Sequence, residues 1–435
     1  LERSKRGKLE MDTLSQDAHS HDPHSQEAMA GYAVMEIRKD FPILAREVYG
    51  KPLVYLDNGA SAQKPTAVLE AIQSAYSETY SNVHRGLHFL SNASTDLYEA
   101  ARETVRGFLN AASVDNIIFT RSTTEAINLV AQSFGGMTIG EGDEIVLSIF
   151  EHHSNIVPWH FHREQRGAVL KWVPYREDDS FDLEAFEAAL SDRTKIVAIT
   201  QMSNVTGTIV PIKEICRIAH QRGIPVLVDG SQSAVHMAVD VEALDCDFFV
   251  MTGHKLYGPS GIGILYGKPE YLEKMPPYMG GGEMILDVME DTITYAPPPH
   301  RFEAGTPPIV QAIGLGAALT YMQTIGLDRI AAHEADLRDY AARRLGEMNS
   351  VKVFGNAPGK GAIFSFEVEG AHAHDVATVL DREGVAVRAG THCAMPLLAR
   401  YGVTATCRAS FGLYNTRDEV DRLVNAITKA QSFFS

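Results

Sequence analysis

Apolar and polar positions recur along this chain with two different periods, and the switches between them mark its elements. An amphipathic segment begins at Val34 and leads to a short apolar run, Leu53 to Asp57, closed by Asn58 and Gly59. Helix-period patterns follow over about Thr66 to Tyr80 and Thr95 to Leu109, separated by the loop Val83 to Ser91. From Asn116 onward, short apolar runs alternate with helical stretches. The runs are Ile117 to Thr120, Ile145 to Ser148, Leu170 to Pro174, Ile196 to Thr200, Val226 to Asp229 and Phe248 to Met251. That alternation predicts a mostly parallel sheet with helices on both faces.

The pattern breaks between Lys274 and Pro308, where three glycines (Gly280 to Gly282) and three prolines (Pro297 to Pro299) interrupt it. Two long helical patterns come next, about Val310 to Ile325 and Leu327 to Met348. Strand patterns near Lys352 to Phe354, Ala362 to Glu367, Val385 to Arg388 and Cys407 to Phe411 then predict a smaller α+β domain. The expected division is a disordered tail over 1–33, a segment 34–52 packing with the small domain, a large domain over 53–309 and a small domain over 310–435. The tail is rich in Ser, Asp, Gln and His; His19, His21 and His24 there read as solvated. Met11 is a candidate native start, which would make the first ten residues foreign. The early basic residues lack the apolar stretch of a secretory signal.

Composition changes this picture little. The chain has 435 residues, enough for two domains, and 45% of them are hydrophobic, as in soluble globular proteins. No run approaches the roughly 20 apolar residues of a membrane span. A net charge of −16 without a basic patch disfavours nucleic acid as a partner. The four cysteines, Cys216, Cys246, Cys393 and Cys407, form no C-x-x-C pair. Neither a disulfide scaffold nor a metal site is expected, and a reducing, cytoplasmic setting is.

Candidate chemistry concentrates at strand ends. The stretch MTGHKLYGPSGIGILYG, Met251 to Gly267, carries Lys255 out of an apolar strand onto a glycine-rich turn. A partly desolvated lysine there becomes a nucleophile toward carbonyls. Alone, it reads equally as a surface lysine. Upstream, VLVDGSQSAVH places Asp229 at the carboxyl end of a strand, where open α/β sheets bind ligands; alone, it reads as a helix N-cap. Together they match the needs of pyridoxal phosphate, an amine for its carbonyl and an acid for its ring nitrogen. In FTRSTTEAINLVAQSF, Ser122 and Glu125 form a capping box, and Thr123 and Thr124 occupy the first turn of an anion-binding helix terminus. His152 in FEHHSNIVPW is a candidate to lie against the ring, although a lone His is more often a surface or satisfied core residue. Asn204 in SNVTGT is a candidate for the ring oxygen or a substrate carboxylate.

With these motifs in place, and with VHRGLHFLS, RFEAGTP, RAGTHCAMP and CRASFGLYNT, the chain from about Val34 onward resembles the cysteine desulfurases of the group II, SufS-like branch. The resemblance implies an α/β, fold-type I pyridoxal-phosphate-dependent transferase: a large domain with a seven-stranded-type, mostly parallel sheet flanked by helices, plus a smaller α+β domain. It implies that Lys255 binds the cofactor carbonyl, Asp229 the ring nitrogen and Gln232 the phenolic oxygen, with His152 stacked on the ring. Thr123, Thr124, Thr252 and His254 would hold the phosphate, helped by Thr306 of the other subunit of a homodimer. Asn204 and Arg408 would grip the substrate carboxylate, His84 would line the pocket, and Cys393 would take sulfur from L-cysteine, leaving L-alanine. Positive charge near Cys393 is expected from His392, and from Arg388 if it turns inward.

The same likeness implies a Suf-type sulfur acceptor, a role in iron–sulfur cluster assembly and activity on L-selenocysteine. Ala389 and Thr391 depart from the family pattern, in which a hydroxyl residue and a histidine stand. A class-V aminotransferase or epimerase on the same fold, needing no cysteine, and a non-catalytic assembly scaffold are the competing readings.

Overall fold

Seven short apolar strands set the frame: β1 (Ile117–Thr120), β2 (Glu144–Ser148), β3 (Val169–Val173), β4 (Thr194–Thr200), β5 (Val226–Asp229), β6 (Phe248–Thr252) and β7 (Gly263–Gly267). The computed structural model describes residues 32–434, and the sheet order is β1-β7-β6-β5-β4-β2-β3. β2 to β6 run parallel to one another, and β7 is antiparallel to both β6 and β1. The two-residue period of a strand divides its side chains between two separate cores. Val197, Ile199, Val228, Phe249 and Met251 enter one; Ile196, Ala198, Leu227, Phe248 and Val250 enter the other. A sheet covered on both faces needs continuous apolar strands, which is why these segments stood out by composition.

The smaller domain holds an antiparallel sheet of β8 (Val351–Phe354), β9 (Ile363–Val368), β10 (Arg388–Gly390) and β11 (Thr406–Ser410), in the order β8-β9-β11-β10. Its core is a third cluster, including Phe364, Phe366, Leu380, Phe411 and Leu423. Among the described residues, no single helix is long and apolar enough to cross a membrane.

Four details differ from the sequence expectation. The helix Ile309–Ile325 belongs to the large-domain core, packing Ile309, Ala312, Leu315 and Leu319 there. The changeover instead falls at Gly326, whose φ of +98° opens a 75° bend into Leu327–Gly346. Segment assignments near the start are exchanged: Phe41 and Leu44 join the large core, while Val54 and Leu56 join the small-domain core. Val54–Tyr55 does this by pairing in parallel with Val385–Ala386. The helix ending at Leu109 begins at Phe89, six residues early, because His88 Nδ1 accepts the Ser91 N–H and caps it. A two-stranded hairpin, Ile285–Val288 with Ile293–Tyr295, occupies the stretch read only as a boundary. The expected tail, with its three histidines, lies outside the described residues except at its end, where Tyr32 stacks on His333 and donates to the Leu413 carbonyl.

Candidate active site

Strands β4, β5 and β6 end together, and the small domain closes over their carboxyl ends. Between them lies a cavity of about 200 Å³, lined by Thr200, Asp229, Ser231, Gln232, Thr252, His254 and Lys255 from one side. Thr123, Thr124 and His152 line it as well, and Arg388, His392, Cys393 and Arg408 close it from the small domain.

Lys255 follows the Gly253–His254 turn after β6 and is half-buried, lining the cavity. Burial lowers its amine to about 8; Asp229 pulls the other way and Arg408 adds to the lowering. Asp229 is 4% exposed and its Oδ1 accepts the Ser231 N–H at 2.9 Å. The loop after it hugs β6 because residue 230 is glycine: a Cβ there would meet the Phe249 ring at 1.9 Å.

The long helix Thr123–Thr138 points its N-terminus at the cavity. Ser122 accepts the Glu125 N–H, but the Glu125 carboxylate reaches back to the Arg121 N–H, so the expected box closes one residue early. Thr123 Oγ1 accepts from Ser231 Oγ at 3.0 Å, and Thr124 Oγ1 shares a hydrogen bond with Ser154 Oγ at 2.8 Å. β7 presses directly on this cap. A Cβ on Gly263 would stand 2.3 Å from the Ser122 carbonyl carbon.

Two imidazoles on the walls are held neutral. Burial, then Lys255, pushes His152 down to about 3, and burial with Lys255 and Lys64 pushes His254 down to about 4. Opposite them, Arg408 is 2% exposed; it donates to the Asn204 carbonyl at 2.9 Å and meets Asp57 at 3.3 Å. Arg388 is exposed at the mouth, 3.4 Å from the same carboxylate. Cys393 is exposed, on a turn in which His392 (φ +53°) and Cys393 (φ +54°) are both left-handed.

A helix N-terminus with two hydroxyls fits a phosphate, a buried carboxylate fits a ring nitrogen, and a deprotonatable, half-buried amine fits a carbonyl. Three buried atoms of lining residues, Asn204 Oδ1, His392 Nδ1 and Arg408 Nε, have no protein partner. Each such atom costs about 1–3 kcal/mol unless a ligand completes it. The residues present therefore suit pyridoxal phosphate with an amino acid beside it.

Comparison with known proteins agrees. Residues 54–423 match the family model "Aminotransferase class-V". The chain is 52% identical over 399 residues to a probable cysteine desulfurase of Halalkalibacterium halodurans, covering 92% of this chain and 98% of that one. It is 51% identical over 394 residues to a cysteine desulfurase of Dickeya dadantii, covering 90% and 95%. The crystal structure of the cysteine desulfurase CsdA (S-sulfonic acid) from Escherichia coli superposes with a TM-score of 0.87 at 41% identity, covering 93% of this chain and all of that one. The chain belongs to the cysteine desulfurases of the class-V aminotransferase family.

The cofactor of this desulfurase family is pyridoxal 5′-phosphate. Of the residues the sequence singled out, all but two line one cavity in this enzyme. His84 lies elsewhere: the helix after it supplies Glu99, which takes His84 Nε2 at 2.8 Å, and His300 packs edge-on at 5.2 Å. Thr306, expected to act across a subunit boundary, is not among the residues lining this chain's cavity. His392 does not supply positive charge. It is buried beside Arg408, burial and that guanidinium lower it to about 3, and its Nε2 bonds to Thr406.

The desulfurase site also uses residues the sequence reading passed over. Gly59 and Ala60 reach the cavity from the N-terminal segment, and the Gly59 carbonyl accepts from Gln232 Nε2 at 2.8 Å. Ser154 ties Thr124 to His152, whose Nδ1 lies 3.1 Å from its hydroxyl.

Proposed function

We propose that this desulfurase works in the manner of the group II, SufS-like branch: L-cysteine gives up its sulfur to Cys393, which becomes a persulfide, and L-alanine leaves. The observation that carries this reading is the convergence of Lys255, Asp229 and Cys393 on one cavity. Pyridoxal phosphate bound there supplies an electron sink that makes the substrate Cα–H acidic.

The protein groups do the rest. Thr123, Thr124, Thr252 and His254 surround the anion, and the flat, neutral His152 ring offers an aromatic wall. Asp229 keeps a ring nitrogen protonated. Arg408 offers the substrate carboxylate a planar donor pair, of which Nε is still unpaired. Lys255, neutral above about pH 8, removes the Cα proton as general base. The Cys393 thiolate then attacks the substrate sulfur; an S–S bond forms, the Cβ–S bond breaks, and its electron pair passes to the carbon fragment, which takes up a proton.

An exposed thiol on a short, backbone-strained turn suits handover to a docked Suf-type acceptor and thus supply of sulfur for iron–sulfur assembly. L-Selenocysteine fits the same pocket. A homodimer is supported by apolar side chains left open on one chain: Leu87, Phe89, Leu286, Val288 and Ile293. The test is to add L-cysteine with an excess of a dithiol reductant, which takes the sulfur off the persulfide as sulfide, to the holoenzyme and assay alanine and sulfide. Wild type forms both in equal amounts. Cys393→Ala keeps the cofactor colour but releases no sulfide; sulfide release at the wild-type rate would remove Cys393 from the reaction.

A further inference from the structure

The turn that carries the thiol is costly to hold. Two successive non-glycine residues, His392 and Cys393, take left-handed backbone angles, a conformation that persists only when neighbours fix it. Within the turn itself, the Ala394 N–H donates to the Thr391 carbonyl at 3.0 Å. The small domain adds the His392 ring on Thr406, and the large domain adds Asn204 Nδ2 on the His392 carbonyl at 2.7 Å and two bonds through His153.

The backbone N–H of His153 donates to the Cys393 carbonyl at 2.7 Å. Its ring Nε2 accepts the Met395 N–H at 3.1 Å, two residues beyond the thiol. His153 thus grips the turn on both sides of Cys393 while not lining the cavity itself. An N–H can only donate, so Nε2 is the bare nitrogen and the ring is neutral with its proton on Nδ1. Burial lowers the His153 ring pKa, which favours that form. Met395 opens the helix Met395–Tyr401, and its N–H is one of the groups a helix start leaves without an internal partner.

The preceding residue is His152, the wall proposed for the cofactor ring. Two adjacent histidines therefore join the ring platform to the thiol turn: one faces the cavity, and its neighbour holds the small-domain loop against it.

We propose that His153 is a positioning residue for the sulfur-accepting thiol, its ring nitrogen clamping the Met395 N–H so that Cys393 is held at the cavity mouth. This rests on the reading of Cys393 as the sulfur acceptor. It differs from that reading in what a variant does, because losing the clamp loosens the thiol without removing it.

The experiment compares His153→Leu, which keeps bulk and deletes the acceptor, with His153→Gln, whose carboxamide oxygen can occupy the Nε2 position. Both are purified as holoenzymes. Hydrogen exchange of the 391–397 amides is measured without substrate, and turnover with L-cysteine. Loss of one hydrogen bond of ordinary strength predicts about three- to tenfold faster exchange at the Met395 amide in His153→Leu. The same variant should show a kcat lower by about the same factor and a KM within about twofold of wild type. His153→Gln should restore both readouts toward wild type. Unchanged exchange and kcat in His153→Leu would overturn the proposal. So would equal loss in both variants, which would tie the effect to the imidazole rather than to an acceptor. Cys393→Ala, run alongside, tests the underlying reading separately: sulfide release by that variant would sink the acceptor role whatever the His153 variants do.

Discussion

At the scale of single residues, chemistry here is set by burial more than by residue type. Lys255 is an ordinary lysine until β6 delivers it into a partly buried pocket, where its amine falls to about 8. The neutral fraction of that amine rises as pH climbs through this value. Capture of pyridoxal phosphate by the cofactor-free protein should therefore accelerate from pH 6 up to about 8 and level off above it. Stopped-flow absorbance measures this, and a rate independent of pH would contradict the assignment. Arg408→Lys keeps charge but loses the planar fork, so KM for L-cysteine should rise about tenfold or more while cofactor affinity holds. Steady-state kinetics and cofactor titration separate the two. Lys255 and Asp229 were legible because each ends an apolar run beside glycines. His392 was misjudged because Arg408 and Thr406, the groups that fix its role, sit on another strand and leave no trace in the local pattern.

Elements reach the site through a few buried bonds that cross the fold. Glu303, between the hairpin and the helix Ile309–Ile325, is 8% exposed and accepts from Arg102 at 2.6 and 2.9 Å. It also takes the Phe119 N–H at 2.7 Å, on the strand that leads into the Ser122 cap. Glu303→Ala would strand the Arg102 guanidinium, itself 1% exposed, without its main counter-charge. The expected cost is about 3–5 kcal/mol, read as a lower denaturant midpoint, with weaker cofactor retention because the cap rests on the same strand. An unchanged midpoint would show that Glu99 alone satisfies Arg102. Sequence periodicity found six of the seven sheet strands to within a residue or two at most ends, because strands buried on both faces are continuously apolar, and left Gly263–Gly267 in a glycine-rich turn. It missed the hairpin Ile285–Val288 with Ile293–Tyr295 because six of its seven strand residues, all but Ile285, are exposed and mix apolar with polar and acidic.

Across the whole molecule, the cavity exists only because two separately cored units meet. Lys255 and Asp229 stand at or just past the ends of large-sheet strands, while Cys393 and Arg408 come from the small sheet's β10–β11 region, although Ala394, Leu397 and Leu398 just after the thiol pack into the large core. The boundary was misplaced by one helix since Ile309–Ile325 is apolar on nearly every face, and composition alone does not say which core receives it. The same surplus of apolar surface bears on self-association. Leu87 is fully exposed, Phe89 80% and Leu286 68%, an unusual cost for a monomer in water. The loop with Leu87 and the hairpin with Leu286 are neighbours, since Arg85 pairs with Glu283 at 2.9 Å. The two segments thus bring several of the open apolar side chains together, as a two-fold interface requires. Leu286→Glu combined with Ile293→Lys places charges where a second copy would bury them, without touching either core. The double variant should sediment at half the mass of the wild-type assembly with unchanged far-ultraviolet circular dichroism. A wild-type mass would mean that the hairpin lies outside the contact, and a wild-type sedimentation at monomer mass would remove the homodimer.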